Sequence, residues 1–149
     1  MSNRGDIPFS LTHEVRDACL CLHLQRSARV VARRFDEALR PLDLTNGQFS
    51  LLMSLNRPEP ARMGDVAVLL AMDRTTLTAN LKPLERRGLV KVAIDAADRR
   101  GRRLALTAAG RALLASAVPV WRRTHADIER LLPAGSDPDR LRAELRALS

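Results

Sequence analysis

The chain has 149 residues, enough for one domain with a real core and an oligomerisation arm but too few for two catalytic domains. Lys and Arg total 25 against 17 Asp and Glu, and the resulting net charge of +8 favours a polyanionic partner, nucleic acid first. With no tyrosine and one tryptophan, a platform of stacked aromatics for single strands is excluded, which leaves duplex DNA.

No stretch approaches the ~20 apolar residues of a membrane helix. Met1–Pro8 lacks the basic and apolar regions of a signal peptide, so a cytoplasmic protein without a membrane partner is expected. From Thr12 to Arg40 no proline or glycine interrupts, and Leu20, Leu24, Ala28, Val31, Phe35, Ala38 and Leu42 recur at helical steps. This predicts one long helix. A second apolar line through Val15, Cys19 and Leu22 makes its buried face wider than one neighbour covers, as in a helix shared with a second subunit.

Pro41 stops that helix, and Thr45 followed by Gln48 forms a capping box for a second one through Phe49, Leu52 and Leu55. Pro58 and Pro60 mark a loop. A short third helix is predicted from about Gly64 to Ala71, carrying Val66, Leu69 and Leu70. Met72 and Asp73 make the turn into a fourth, with Asp73 as N-cap. Two helices so tightly joined suggest helix-turn-helix.

The fourth helix spans Arg74 to Gly88, with Leu77, Leu81 and Leu84 inward and Gly88 at its C-cap. At about 100° per residue, Thr75, Ala79, Lys82 and Arg86 lie opposite, flanked by Thr76 and Thr78. Extended runs Leu89–Ile94 and Arg102–Leu106 then enclose a charged tip from Asp95 to Arg102, a hairpin pattern. Thr107 caps a helix reaching Leu132, kinked at Pro119, and a last helix follows from Asp139 to Leu148. The fold class expected is mainly α with a small β-hairpin wing. Residues 10–42 and 107–149 form a helical dimerisation region around a winged helix-turn-helix domain at 43–106.

In that arrangement the fourth helix enters the major groove and the hairpin reaches alongside. Thr75, Thr76 and Thr78 suit base edges or phosphates, Ala79 permits close approach, and Arg74 and Lys82 suit phosphate or guanine. Arg100 and Arg102 suit a narrow minor groove, with Asp98 placed to orient the Arg100 guanidinium. The segment MDRTTLTANLKPLERRGLV, followed by DRRGRRLALTAAG, resembles the multiple-antibiotic-resistance regulator (MarR) family, over roughly Leu11 to Leu148. The resemblance implies a homodimer with interlaced terminal helices, a pseudo-palindromic operator, and repression relieved by a small ligand. It also implies Arg100 as the wing arginine with Asp98 as its partner. Two departures stand out: Pro83 inside the recognition helix predicts a bend that carries Arg86 away from the groove, and Arg62 and Met63 replace the usual Ser or Thr cap of the third helix.

Members that sense organic peroxides carry a reactive cysteine early in the first helix, and CLCLHL from Cys19 to Leu24 is similar, with Cys21 nearest that position. The tyrosines that accompany it are absent here, so helical packing is the leading reading of both thiols and redox sensing the alternative. On one helix the two side chains diverge, which disfavours a disulfide. Cys19 and His23 share a face, yet two ligands make no closed metal site, so no metal or cofactor is expected. An anionic aromatic acid is the effector the resemblance implies, with His23, Arg26 and Arg34 as candidates on the first helix. Neither a phosphate loop nor a Ser-His-Asp order nor paired catalytic carboxylates appears, so no enzyme is expected. A nucleoid-type binder without sequence preference is the remaining rival.

Overall fold

The computed structural model describes residues 5–149; residues 1–4, part of the Met1–Pro8 stretch, lie outside them. The expected first helix is two: α1 (Phe9–Ala18) and α2 (Leu20–Leu39) meet at Cys19, whose φ of −72° and ψ of 109° are extended. No helix breaker encodes this. The break is held locally, because the Cys19 sulfur accepts the Leu22 amide at 3.5 Å as an N-cap for α2. The His23 ring donates from Nδ1 to the Cys19 carbonyl at 2.7 Å. Period counting reads through such a joint because apolar spacing is nearly unchanged across it.

After α2 a short 3-10 turn (Arg40–Leu42) ends at Asp43 in the left-handed region, and α3 (Asn46–Ser54) begins. The expected capping box is present, with Thr45 Oγ1 accepting from Gln48 N at 3.1 Å and Gln48 Oε1 from Thr45 N at 3.0 Å. The Asp36 carboxylate of α2 accepts the Asn46 amide at 2.7 Å, tying the two helices together. A two-residue strand, β1 (Ala61–Arg62), follows the proline loop and leads into α4 (Met63–Leu69). The sequence reading missed β1, since two residues carry no period. As expected, Arg62 offers no side-chain cap to α4. Met63, Val66 and Ala67 form its inner face, whereas Leu69 is 68% exposed.

The fourth helix is α5 (Arg74–Arg86), and the hairpin is β2 (Val90–Ile94) and β3 (Arg102–Leu106). The sheet order is β1-β3-β2, all antiparallel, with Leu104 facing both Ala61 and Val92. Then come α6 (Ala108–Glu129), which continues through Pro119, and α7 (Pro138–Arg146), capped by Asp137. The core joins the end of α2 (Phe35, Leu39) to α3, α4, α5 and Leu104 of β3, and α6 closes it with Leu114 and Ala117. Phe49 of α3 stacks on Trp121 of α6 at 6.3 Å between ring centres.

Where α6 starts, Thr107 Oγ1 accepts the Gly110 amide at 3.0 Å and donates to the Gly88 carbonyl at 2.6 Å, fastening the helix to the end of α5. Approach there is so close that a Cβ on Gly110 would sit 2.1 Å from the Leu89 carbonyl oxygen. Gly110→Ala therefore forces backbone apart, and a cost of about 3 kcal/mol is expected, lowering the melting temperature by on the order of 10 °C. An unchanged melting curve by circular dichroism contradicts this packing.

Neither α1 nor α7 buries any residue. Phe9 is 72% exposed, Leu20 69% and Leu148 63%, with Val15, Leu22, Leu24, Leu141 and Leu145 also open. No helix among the described residues is long and apolar enough to cross a membrane.

Candidate nucleic-acid interface

Helix α5 is presented by two well-defined ends. At its start Asp73 Oδ1 accepts the Thr76 amide at 2.7 Å and Oδ2 the Thr76 hydroxyl at 2.9 Å. These bonds, the amide first, hold the Asp73 carboxyl below the usual carboxylate range, so the cap stays charged at neutral pH. The preceding turn is a Schellman closure, with Met72 N bonded to Ala67 O at 2.9 Å and Ala71 N to Val68 O at 3.1 Å. Ala71 stands at φ 50°, where glycine is usual, so a tight helix-turn-helix angle is obtained with some backbone strain.

At the far end Gly88, at φ 69°, closes the same motif with Leu89 N on Leu84 O at 3.0 Å. The helix continues through Pro83 to Arg86, so the proline does not end it. Arg87 then reaches across to the Asp43 carbonyl at 2.6 Å, bracing the end of α5 against the corner that follows α2.

Leu77, Leu81 and Leu84 are buried beneath α5, so the opposite face is fixed in direction. Arg74, Thr75, Thr76, Thr78, Ala79, Lys82 and Arg86 are all exposed. Their roles are not equivalent. The Thr76 hydroxyl is spent on Asp73, and the Thr78 hydroxyl donates to the Arg74 carbonyl at 2.8 Å, leaving both only as acceptors toward a ligand. Among the described residues the side chains of Arg74, Thr75 and Lys82 make no hydrogen bond, and those of Arg74 and Lys82 no ion pair.

In the wing, Asp98 does not bond the Arg100 guanidinium as expected; its carboxylate accepts the Arg100 backbone amide at 3.0 Å. An Asp two residues ahead closes a turn on the main chain before its short side chain can reach a guanidinium. The Arg100 side chain is exposed and has no partner among the described residues. The Arg102 guanidinium folds back onto the carbonyls of Arg99 at 3.3 Å and Gly101 at 3.1 Å. Two residues that sequence reasoning passed over organise this tip. Asp95 is buried at 7% exposure and accepts from Ala97 N at 3.0 Å and Arg103 Nε at 3.1 Å. The Ala97 amide, with Arg103 and Arg62 nearby, holds the Asp95 carboxyl below its usual range. Any stability it contributes is present above the unfolded value of about 3.9 and lost as pH falls through the lower folded one. A lone Asp after a strand reads as turn chemistry, so only the fold reveals the Arg103 partner.

The effector and redox candidates do not converge. Cys21, His23, Arg26 and Arg34 are exposed along α2, and Cys19 is half-buried at its start. Among the described residues, neither a cleft of about 330 Å³ between Leu132 and Glu144 nor one of about 170 Å³ between α3 and α6, lined by Met53, Asn56, Arg111, Leu114, Ala115 and Val118, is lined by any of them. The second volume is below the ~300 Å³ of ordinary ligand pockets, and the first lies on α7, away from α2. Cys19 and His23 meet through a ring-to-carbonyl bond, and among the described residues no three His, Cys, Asp or Glu gather at metal-binding distance.

A family model described as MarR family matches residues 42–101. The M. tuberculosis transcriptional regulator MosR, crystallised with DNA, is 40% identical over 87% of this chain and 92% of its own, with a TM-score of 0.78. CouR, a transcriptional repressor bound to a 23-mer DNA duplex, is 31% identical over 91% and 94%, with a TM-score of 0.77. E. coli MarR with operator DNA, at 24% identity over 91% and 96%, supports the fold alone with a TM-score of 0.79. A three-stranded winged helix between helical arms, with a basic wing and a small, hydroxylated recognition face, places this chain in the MarR family of DNA-binding transcriptional regulators.

Proposed function

We propose that the chain is a homodimeric, sequence-specific repressor that reads a pseudo-palindromic operator in duplex DNA. The observation that carries this reading is that the side chains of Arg74, Thr75, Lys82 and Arg100, on one recognition helix and one wing, are exposed and without partners among the described residues. Residues 43–106 are the reading domain, in which Ala79 allows the helix to sit close to the bases. Thr76, Thr78, Asp98 and Arg102 shape the surface, the first two also accepting bonds from DNA-bound water or bases. Residues 10–42 and 107–149 are the dimerisation region, supported by the uncovered apolar side chains of α1, α7 and the first half of α2. That CouR is a repressor bound to DNA supports the same role here. Hydroxyl-radical footprinting tests the reading. It should show two protected half-sites about one helical turn, 10 to 10.5 base pairs, apart, with flanking minor-groove protection. Uniform protection along any duplex contradicts it and favours a nucleoid-type binder.

Release by an anionic aromatic acid held between the dimerisation and reading domains is the effector reading, with Arg26, Arg34 and His23 the groups α2 offers. A second reading is favoured by the joint at Cys19. Because Cys19 is extended and Cys21 helical, the two side chains are not bound to the diverging directions of one continuous helix. A hydroperoxide oxidises the Cys21 thiol to the sulfenic acid, releasing an alcohol; the Cys19 thiol then displaces water to give a disulfide. Cys21→Ser should abolish peroxide-induced release from operator DNA while binding stays intact. Release at the wild-type peroxide concentration removes the redox reading.

A further inference from the structure

Asp95 is the only buried charged or polar side chain among the described residues, and it lies at the root of a tip meant to meet phosphates. A carboxylate there opposes DNA unless it is paired and serves another purpose. Its contacts supply that purpose. The Asp95 amide donates to the Gly101 carbonyl at 3.1 Å, and the Gly101 amide to the Asp98 carbonyl at 2.8 Å, so the tip closes on itself. Gly101 packs against the carboxylate, since a Cβ there would lie 3.4 Å from Asp95 Cβ and 3.2 Å from the Asp98 oxygen. One carboxylate oxygen holds Ala97 and the other holds Arg103, which stands on β3 opposite Ala93 of β2 and Arg62 of β1. From the same guanidinium, Nη1 donates to the Pro60 carbonyl at 3.3 Å, just before β1 and α4.

A continuous set of bonds therefore runs from the entry of the helix-turn-helix, through Arg103 and Asp95, to the loop that bears Arg100. A two-stranded ribbon alone is marginal and its tip mobile, and a cation on a mobile tip must be ordered at binding. We propose that Asp95 and Arg103 are the positioning pair of the wing, holding the tip at a set height above α5 so that Arg100 enters the minor groove, while touching no DNA themselves. The inference rests on the reading of Arg100 given above. It makes the pair a determinant of affinity that acts only through Arg100 and its neighbours on the tip.

A double-mutant cycle tests this with the full-length protein and its operator duplex. Asp95→Asn keeps the shape and the Ala97 acceptor but removes the charge that holds Arg103. It should weaken operator binding about tenfold in the wild-type background and less than about twofold in the Arg100→Ala background, because coupled residues are not additive. Arg103→Gln should give the same pattern, and serves in place of Asp95→Asn if that variant does not fold. The slope of log affinity against log salt should fall by about one for each phosphate that the wing no longer neutralises in the single variants, and change no further in the doubles. An equal weakening in both backgrounds, or none in either, overturns the positioning role and leaves the Arg100 reading intact. If Arg100→Ala alone binds like wild type, both the wing reading and this inference fall.

Discussion

Replacing Arg100 with Ala is expected to weaken operator binding by more than about tenfold, the size of one good groove contact of roughly 1–3 kcal/mol. The expectation follows from the state of the side chain. Arg100 is exposed, its backbone amide is held by Asp98, and its guanidinium has no partner among the described residues, so it meets DNA without breaking a bond seen there. A narrow A·T-rich minor groove concentrates negative potential and favours an arginine there over a lysine. Arg102 offers a contrast, since its guanidinium already bonds the Arg99 and Gly101 carbonyls and must release them before reaching DNA. Arg102→Ala should therefore cost less than Arg100→Ala when both are titrated by fluorescence anisotropy. Equal affinity of Arg100→Ala and wild type, with secondary structure and dimer intact, removes the wing from the recognition surface.

A larger loss is expected from separating the subunits of the proposed dimer. Leu20 and Leu24 lie one turn apart on α2 and are both open to solvent in the single chain, on the stripe that ends in buried Phe35 and Leu39. A surface of that kind is stable in water only when covered. Introducing Leu20→Glu together with Leu24→Glu places two charges where apolar side chains from a second copy would pack, and should yield a monomer in sedimentation velocity. Specific affinity should then fall by more than about 100-fold, since each bound half-site no longer raises the effective concentration of the other. Nonspecific binding at low salt should persist, because the basic surface of α5 and the wing is untouched. A double variant that sediments as a dimer contradicts the assignment of α1, α2 and α7 to the interface.

Elements whose ends are chemical were legible in the sequence. Thr45 with Gln48, Asp73, Gly88 and Thr107 each bond as their residue types dictate, and the inward leucines of α5 follow from spacing alone. The site was legible to the extent that its direction follows from those leucines: once Leu77, Leu81 and Leu84 are inside, Thr75, Ala79 and Lys82 must be outside. What escaped has physical reasons of its own. The joint at Cys19 depends on a thiol acting as a weak cap, which composition does not reveal. Ala71 takes a conformation that residue type argues against, and β1 exists only because β3 lies beside it. The wing was mistaken in detail because short range favours the main chain. Asp98 binds an amide rather than a guanidinium, while the partner that Asp95 needs stands across the hairpin at Arg103.

Whether the recognition helix and wing read a specific operator is decided by a single titration. The DNA upstream of the chain's own gene, labelled with fluorescein, is titrated with the protein at several salt concentrations, with and without excess unrelated duplex. Saturation is expected at one dimer per site, with specific binding at least about 10³-fold tighter than binding to the competitor and a log–log salt slope that reflects several phosphate contacts. Binding to that fragment and to other candidate operators that the competitor removes in proportion to its concentration, and that salt abolishes without any sequence preference, would contradict it.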